Sequence, residues 1–293
     1  MMLDRIARVA LATCADFPDL EEPERLVLDP LRDRGIEPVP AVWDDPAVDW
    51  SSFDLVVLRG TWDYAERLEE FMAWIRRADA VTTVLNPPDV VSWNTDKRYL
   101  AELAEHDVRI VPTTFLAAHD APMLPTSGEY VVKPTVSAGS RDTARYLAGR
   151  DDAVARAHAE RLLAAGREVM IQPYVDTVDD HGETALLYLN GRFSHAIRKG
   201  PLLESGAAPT TELFAQETID PRTPSASDRT VADAVTAFLT DRFGTLLYAR
   251  VDLLEGPDGP MVLEVELTEP SLFIQSDDAA PARLADAISG RLG

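Results

Sequence analysis

The sequence predicts an α/β protein with an N-terminal α/β domain, a small α+β subdomain and a C-terminal domain built on an antiparallel sheet. Three observations carry this prediction. Strand-like apolar segments alternate with helix-like segments over residues 1–92, as in α/β units. A strand, a helix and a second strand follow over 129–172, and the turn signals Asn190-Gly191 and 255–259 then indicate hairpins. The predicted domains are 1–92, 93–175 and 176–293.

The elements of the first domain follow from apolar periodicity and from the positions of proline and glycine. We expect strand 8–14, helix 22–34, strands 36–42 and 53–59, and helix 65–78. Pro23 suits a first helical turn, Pro30 should kink or divide the helix, and Gly35 should end it.

In the later domains, glycines bound the helices and turn-forming residues bound the strands. We expect a helix through Tyr99 and Leu103 that is capped by Thr95 and Asp96. The further predicted elements are strand 129–133, helix 151–165 ended by Gly166, strand 168–172, strands 184–189 and 192–197, helix 227–243 ended by Gly244, and the hairpin strands 248–252 and 261–267.

The composition is that of a globular protein and excludes several function classes. The 293 residues are 46% hydrophobic and carry a net charge of −22. This charge argues against sequence-independent nucleic-acid binding, which needs clustered Lys and Arg. No apolar run is long enough for a membrane span, and segment 9–15 is too short and too closely flanked by charge for a signal peptide. The single cysteine, Cys14, excludes an internal disulfide and favours a cytoplasmic protein.

Three carboxylates fall on the predicted C-terminal hairpin. Side chains alternate along a strand, so 262, 264 and 266 should share one face, as should 248, 250 and 252. The turn places Asp252 opposite 262 to 264, close to Glu264 and Glu266. Such carboxylates repel one another unless a cation lies among them, and Mg2+ prefers oxygen ligands and completes its shell with phosphates. A solvated acidic face remains the alternative, although the intervening apolar residues predict that both strands are central in the sheet.

Basic residues lie at strand ends and beside a small-residue loop earlier in the chain. Lys133 ends an apolar strand and precedes loop 135–140, whose backbone N–H groups could bind phosphates. Lys97 lies at a predicted helix start, where an anion gains from the helix dipole. Arg198 and Lys199 end strand 192–197. Taken alone, Lys133 could equally be a surface lysine, but these cations and the carboxylates together fit a nucleoside triphosphate with its metal ion.

The order of these motifs resembles the ATP-grasp ligases over residues 90–275. The resembling residues are Lys97, Val131-Val-Lys-Pro134, Gln172-Pro-Tyr-Val175, Arg198-Lys199, Arg250-x-Asp252 and Glu264-Val-Glu266. The resemblance implies an ATP-grasp fold, α/β with an α+β lid. It also implies that two lysines contact the phosphates, a hinge segment holds adenine, and Asp, Glu and Asn bind Mg2+. Here Glu266 stands where the family usually has Asn, and the phosphate loop has one glycine, Gly139.

The resemblance also assigns roles to individual residues. The implied nucleotide-binding residues are Lys97, Lys133, Ser137, Gly139, Ser140, Gln172, Tyr174, Val175 and Glu183. The implied metal ligands are Asp252, Glu264 and Glu266, for two Mg2+ ions with Mn2+ as an alternative, and the implied catalytic residues are Arg250 and Lys199. The expected substrate residues are Arg59 for a carboxylate, Asp63 for an amino group, and Trp62, Arg198, Glu269 and Ser271.

Within the ATP-grasp proteins, the chain is most similar to the group that contains the cyclo-ligase of D-cycloserine biosynthesis. The similarity lies in 42–45, 54–64, 93–100 and 264–273. It implies an ADP-forming ligase that phosphorylates a small amino-acid-like carboxylate and forms a C–N bond. The specific reaction that it suggests is the cyclisation of O-ureido-D-serine. The alternatives are an intermolecular amino-acid ligase, a nucleotide-binding regulator without turnover and a small-molecule kinase. We expect a small-molecule partner, no nucleic acid and no membrane, and a homodimer stays open.

Overall fold

The computed structural model describes residues 5–203 and 218–292, and their strands form three separate sheets. Within these two ranges, no helix combines the length and the apolar character needed to cross a membrane.

The first sheet is parallel and lies in the N-terminal part of the chain. Its strands are β1 (Ala7–Thr13), β2 (Ile36–Val42), β3 (Leu55–Gly60) and β4 (Thr83–Leu85), in the order β2-β1-β3-β4. Its helices are α1 (Leu28–Arg32) and α2 (Leu68–Asp79). The predicted strands 8–14, 36–42 and 53–59 are confirmed, with ends shifted by at most two residues.

The predicted helix 22–34 is wrong as a single element. A 3-10 helix covers Glu22–Val27, and α1 then begins at Leu28 and ends at Arg32. Proline lacks a backbone N–H, which does no harm in the first turn of a helix, where that donor has no intrahelical partner. The break places both Pro23 and Pro30 in such first turns.

The second sheet belongs to the middle of the chain and is antiparallel. Its strands are β5 (Thr114–Leu116), β6 (Glu129–Pro134), β7 (Ala144–Leu147) and β8 (Val169–Pro173), in the order β5-β8-β6-β7. The helices of this region are α3 (Pro88–Asn94), α4 (Tyr99–Glu105) and α5 (Asp152–Ala164), and α5 packs on the sheet. The predicted capping of α4 by Thr95 and Asp96 holds only in part: the helix begins at Tyr99 with Arg98 as its N-cap, and Asp96 Oδ1 accepts from the Arg98 N–H at 3.1 Å.

The third sheet is antiparallel and occupies the C-terminal part. Its strands are β9 (Glu183–Leu189), β10 (Arg192–Lys199), β11 (Ile219–Pro221), β12 (Tyr248–Gly256) and β13 (Gly259–Glu266), in the order β11-β10-β9-β12-β13. The helices are α6 (Thr177–His181), α7 (Ala226–Phe243) and α8 (Ala280–Ser289). β12 is central as predicted, but β13 lies at the edge of this sheet. The segment around Arg109 and Val111 covers that edge through backbone hydrogen bonds to Val262.

The two faces of the third sheet bury different partners. Leu186 and Tyr188 pack with α4 and α7, whereas Leu187 and Leu189 pack with the apolar residues of β1 and β3. This follows from the alternation of side chains along β9. The first and third sheets therefore share one core, while the second sheet and α5 have a core of their own.

Candidate active site

A cavity of about 430 Å³ is lined by the second and third sheets and by segments 21–24 and 62–64 of the N-terminal part. Most residues singled out from the sequence line it: Trp62, Lys97, Lys133, Ser137, Gly139, Ser140, Gln172, Tyr174, Val175, Glu183, Lys199, Arg250, Glu264, Glu266, Glu269 and Ser271. A cavity with a few convergent polar groups is the expected form of a small-molecule site.

The floor of the cavity is the C-terminal hairpin. Asp252 pairs with Glu264 and Arg250 with Glu266 across β12 and β13, as the turn position predicted for the first pair. The register then shifts, so that Leu253 pairs with Val262. This β-bulge at Leu263 turns Val262 away into the core, so the prediction that 262, 264 and 266 share a face is wrong for 262.

Arg250 and Lys199 neutralise the deepest carboxylate of the hairpin. Arg250 donates from Nε to Asp252 Oδ1 and from Nη2 to Asp252 Oδ2, each at 2.9 Å, and it also pairs with Glu266. Lys199 Nζ lies 2.9 Å from Asp252 Oδ2 and 2.7 Å from Glu183 Oε2. Asp252 is 1% exposed and is not among the residues that line the cavity. The two cations therefore cover the residue that the sequence made the leading metal ligand.

Lys97 ties loop 135–140 to the hairpin. Its Nζ donates to Ser137 O at 2.9 Å and lies 3.0 Å from Glu264 Oε1. Its backbone N–H donates to Thr135 O, because Lys97 precedes α4 rather than opening it. Lys97 thus lies two residues before the first residue of α4, and its carbonyl oxygen accepts a hydrogen bond from Leu100 N–H in the first turn.

Lys133 has no side-chain partner among the residues that the structure describes. Its side chain lies in the cavity wall and the residue is only 8% exposed. Within residues 5–203 and 218–292, its ammonium group makes no hydrogen bond and no ion pair. Burial lowers the pKa of Lys133, and the neighbouring Lys97 adds to this while Glu264 opposes it. A buried ammonium group without a partner fits an anionic ligand such as a phosphate.

The pKa values of the three carboxylates differ because their cations differ. Burial raises the pKa of Asp252, but Arg250 and Lys199 outweigh it and lower the value to about 2. Burial also raises the pKa of Glu264, but Lys97 and Lys133 lower it more strongly, so this pKa lies below its usual value. At Glu266, burial together with Glu264 and Asp252 prevails over Arg250 and raises the pKa to about 7.

The described residues contain no group of three or more His, Cys, Asp or Glu side chains arranged to hold a metal ion by themselves. This arrangement still fits Mg2+ bound with a nucleotide, because Mg2+ is usually held by one or two carboxylates together with phosphates and water. Glu264 and Glu266, which both line the cavity, are the carboxylates that meet this description.

The expected substrate residues Trp62, Glu269 and Ser271 also line the cavity. Trp62 Nε1 donates to the backbone oxygen of Glu269 at 3.3 Å, and Arg250 Nη1 donates to the backbone oxygen of Ser271 at 3.2 Å. These bonds attach the segment after β13 to both the N-terminal part of the chain and the hairpin floor.

Three expected substrate residues do not reach the cavity. Arg59 is completely buried and pairs with Glu24, so its guanidinium is already neutralised. Asp63 accepts hydrogen bonds from Trp43 Nε1 at 2.8 Å and from Arg67, which hold it inside the N-terminal domain. Arg198 lies on the opposite face of β10 from Lys199 and donates to the backbone oxygens of Asp180 and His181 at the end of α6.

Sequence reasoning missed a polar relay behind the substrate end. Arg283 Nε donates to Ser194 Oγ at 2.8 Å, Ser194 Oγ lies 2.9 Å from His195 Nδ1, and His195 Nε2 lies 2.9 Å from Leu272 O. Because a carbonyl oxygen only accepts, the His195 proton lies on Nε2 and Ser194 donates to Nδ1. The relay fixes the backbone before Phe273, which lines the cavity with a left-handed φ of 46°. No local motif marks such residues, since they meet only in the fold.

Comparison with known proteins places the chain in a family. A family model described as the N-terminal domain of D-cycloserine synthetase DcsG matches residues 9–86. The cycloserine biosynthesis protein DcsG of Streptomyces lavendulae is 40% identical over 297 aligned positions, which cover 97% of this chain and 96% of that protein. The chain belongs to the DcsG family. The crystal structure of D-cycloserine synthetase DcsG is 39% identical, with a TM-score of 0.88 over 98% of this chain and 100% of that one.

More distant structures share the fold of this DcsG family member. The ATP-grasp ligase PsnB, complexed with a minimal precursor, has a TM-score of 0.65 at 20% identity over 98% of this chain and 99% of its own. The D-alanine–D-alanine ligase of Bacillus anthracis has a TM-score of 0.65 at 17% identity over 97% of this chain and 98% of its own. The ATP-grasp fold implied by the sequence motifs is therefore confirmed for this member of the DcsG family.

Proposed function

We propose that the chain is an ADP-forming ligase that phosphorylates the carboxylate of a small amino acid and joins the activated carbonyl to a nitrogen of the same molecule. O-ureido-D-serine is the proposed substrate and D-cycloserine the proposed product. The observation that carries the proposal is the buried ammonium group of Lys133, which has no partner among the described residues and lies beside Lys97 and Glu264 in a member of the DcsG family.

The nucleotide end of the cavity is suited to a triphosphate. Lys97 and Lys133 supply positive charge next to loop 135–140, and the segment Val169–Pro173 continues into Tyr174 and Val175 on the cavity wall. Glu264 and Glu266 would hold Mg2+, which when bound neutralises phosphate charge. Two ions, with Mn2+ as an alternative, remain our proposal for the metal content.

Arg250 and Lys199 are proposed to stabilise charge during phosphoryl transfer. Both are held by Asp252, which does not line the cavity, and Lys199 is also held by Glu183, so their positions are set before a ligand binds. Charges fixed in advance in a water-poor site stabilise developing charge more than mobile charges in water do. The substrate carboxylate attacks the γ-phosphorus, ADP leaves, and the resulting acyl phosphate loses phosphate when a nitrogen attacks its carbonyl carbon.

Cyclisation requires the attacking nitrogen to belong to the substrate itself. In O-ureido-D-serine this is the nitrogen bound to oxygen, and its attack closes the five-membered ring. Because D-cycloserine lacks the carbamoyl group, that group must also leave, with water supplying the oxygen for its release as carbon dioxide and ammonia. The protein needs no nucleophile of its own for these reaction steps.

The test is release of ADP and phosphate with Mg-ATP across single amino acids, pairs of amino acids and O-ureido-D-serine. Turnover with O-ureido-D-serine alone and a cyclic product supports the proposal. Strict dependence on two amino acids would instead indicate an intermolecular ligase, and nucleotide binding without any turnover would indicate a regulator.

A matched pair of variants ties the activity to the hairpin. We expect Glu264→Gln to lower kcat by at least about 100-fold. Glu255→Gln makes the same chemical change at an exposed position of the same hairpin and should leave kcat unchanged. Near-native turnover by the Glu264 variant would contradict the assigned site.

A further inference from the structure

The carboxyl group of Glu269 is buried in the cavity lining beside Trp62 and has no partner in the described part of the chain. The residue is 7% exposed and lines the cavity. Within residues 5–203 and 218–292, its side chain accepts no hydrogen bond and forms no ion pair, although its backbone oxygen is held by Trp62. A buried carboxyl group left without donors is unfavourable, so its position calls for a donor from outside the protein.

The charges around Glu269 do not compensate it. Burial raises its pKa well above the usual range, the nearby Glu266 raises it further, and Lys97, Arg250 and Arg59 act in the opposite direction without forming a pair with it. Each of these three cations has another carboxylate partner, namely Glu264, Asp252 and Glu24. A cation that arrives with a ligand would therefore find an unneutralised acceptor at Glu269.

Positively and negatively charged side chains are unevenly distributed over the cavity lining. In the part of the chain that the structure describes, its lysines and arginines are Lys97, Lys133, Lys199 and Arg250. Among the described residues, the wall contributed by the N-terminal domain carries Glu21 and Trp62, together with Glu24, which is paired with the buried Arg59. Burial, followed by the nearby Glu24, raises the pKa of Glu21, as expected where carboxylates outnumber cations. One end of the cavity thus suits phosphates and the other suits a positive group.

We propose that Glu269 binds the ammonium group of the substrate and thereby restricts the enzyme to carboxylic acids that carry an amino group. This inference rests on the proposed function, because it assigns the substrate end of the same cavity. It makes Glu269 a specificity residue that contacts the substrate directly. If a carboxylic acid of the same length but without the amino group is bound, the carboxyl group of Glu269 has no hydrogen-bond donor, just as in the ligand-free protein.

The experiment compares O-ureido-D-serine with its des-amino analogue, 3-(ureidooxy)propanoic acid, in the wild type and in Glu269→Gln. The wild type should prefer the amino acid by at least about 100-fold in kcat/KM. In Glu269→Gln we expect the preference to fall to about 10-fold or less, mainly because KM for the amino acid rises. A variant that keeps the full preference would overturn the inference, and so would an equal loss of kcat with both compounds, which would indicate a proton acceptor.

Two controls separate folding from recognition. Glu255→Gln, which removes an exposed carboxylate, should behave as the wild type, and thermal unfolding of each variant verifies the fold. If Glu269→Gln does not fold, Glu269→Asp keeps the charge on a shorter stem. It should then retain the preference while its KM rises, and loss of the preference in this variant would contradict the inference.

Binding without turnover distinguishes failure of this inference from failure of the proposed function. Calorimetric titration of the same two compounds in the presence of ADP and Mg2+ measures the preference directly. If the wild type releases no ADP but still binds the amino acid more tightly through Glu269, the proposed function fails and the inference holds. If turnover occurs without a preference for the amino group, the inference fails and the function holds.

Discussion

Arg59 donates two hydrogen bonds to one oxygen of Glu24, from Nε at 2.9 Å and from Nη2 at 2.5 Å. The two side chains are 0% and 5% exposed. Nη2 also donates to the backbone oxygen of Pro270 at 3.3 Å. The pair therefore joins β3 to the 3-10 helix Glu22–Val27 and supports the segment that carries Glu269 and Ser271.

Removing the charge of Glu24 should destabilise the fold. Glu24→Gln leaves the buried guanidinium of Arg59 uncompensated, so we expect the free energy of unfolding to fall by about 3 kcal/mol. Glu37→Gln breaks the pair between Arg8 and Glu37, whose side chains are 33% and 53% exposed. This change should alter the free energy of unfolding by less than about 1 kcal/mol. Urea denaturation measures both, and equal effects would contradict the structural role of the buried pair.

Replacing Lys133 should separate activity from stability. Lys133→Met keeps the apolar stem but removes a buried ammonium group that has no partner in the described part of the chain, so the ligand-free protein should become as stable as the wild type or more so. Turnover should fall by about 100-fold or more, because a fixed charge for the phosphates is lost. Calorimetry and an ADP-release assay check the two effects, with Arg192→Ala, an exposed cation on β10, as the control. A variant that is both less stable and fully active would refute the assignment.

His158 should make the stability of the middle subdomain depend on pH. Burial, followed by the nearby Arg161, lowers the pKa of His158 to about 4. In the unfolded chain the pKa is about 6.5, so that state takes up the proton first. The contribution of neutral His158 to the free energy of unfolding is therefore complete above pH 6.5. It declines as the pH falls from 6.5 to 4 and changes no further below pH 4. After allowance for solvent screening, we expect a loss of about 2 kcal/mol.

A pair of histidine variants isolates this effect from the titration of carboxylates. The difference in stability between the wild type and His158→Gln should shrink as the pH falls from 6.5 to 4, whereas His119→Gln, at an exposed histidine, should follow the wild type. Urea denaturation at several pH values gives the comparison. Parallel curves for the wild type and His158→Gln would contradict the assigned titration.

Breaking the relay at His195 should act on the substrate rather than on ATP. His195→Leu removes the donor to Leu272 O and frees the backbone before Phe273. We expect KM for the amino acid to rise by about 10-fold, because misplaced contacts weaken binding steeply, while KM for ATP stays unchanged. His195→Gln offers an amide donor and should recover part of the loss. An equal rise in both KM values would show a general structural effect instead.

The sequence predicted the hairpin floor well because its signals are local. The turn-forming segment between β12 and β13 set the pairing of Asp252 with Glu264, and strand alternation placed Arg250 on the same face. The bulge at Leu263 had no such signal, since it depends on how Met261 and Val262 pack. It was this extra residue that moved Val262 to the opposite face.

Arg59 shows where sequence reasoning fails. Its position after an apolar strand suggested a carboxylate-binding residue, but Glu24, 35 positions away, occupies its guanidinium in the fold. The same applies to Asp252. Its position on the strand could be predicted, but Lys199, which pairs with it, belongs to the hairpin of β9 and β10. Residue type and strand face can be inferred from the chain, whereas the partner that neutralises each charge depends on contacts between distant segments.

The core shared by the first and third sheets affects how the chain can be divided. Leu11, Val57, Leu187 and Leu247 belong to one apolar cluster, and Asn86 bonds to the backbone of Leu247, Tyr248 and Leu267. A truncated chain that lacks residues 1–86 would expose this whole face of the third sheet to water and should aggregate rather than fold. The segment 9–86 is therefore a recognisable unit of sequence that cannot serve as an exchangeable module, and chimaeras between relatives should exchange it together with the C-terminal sheet.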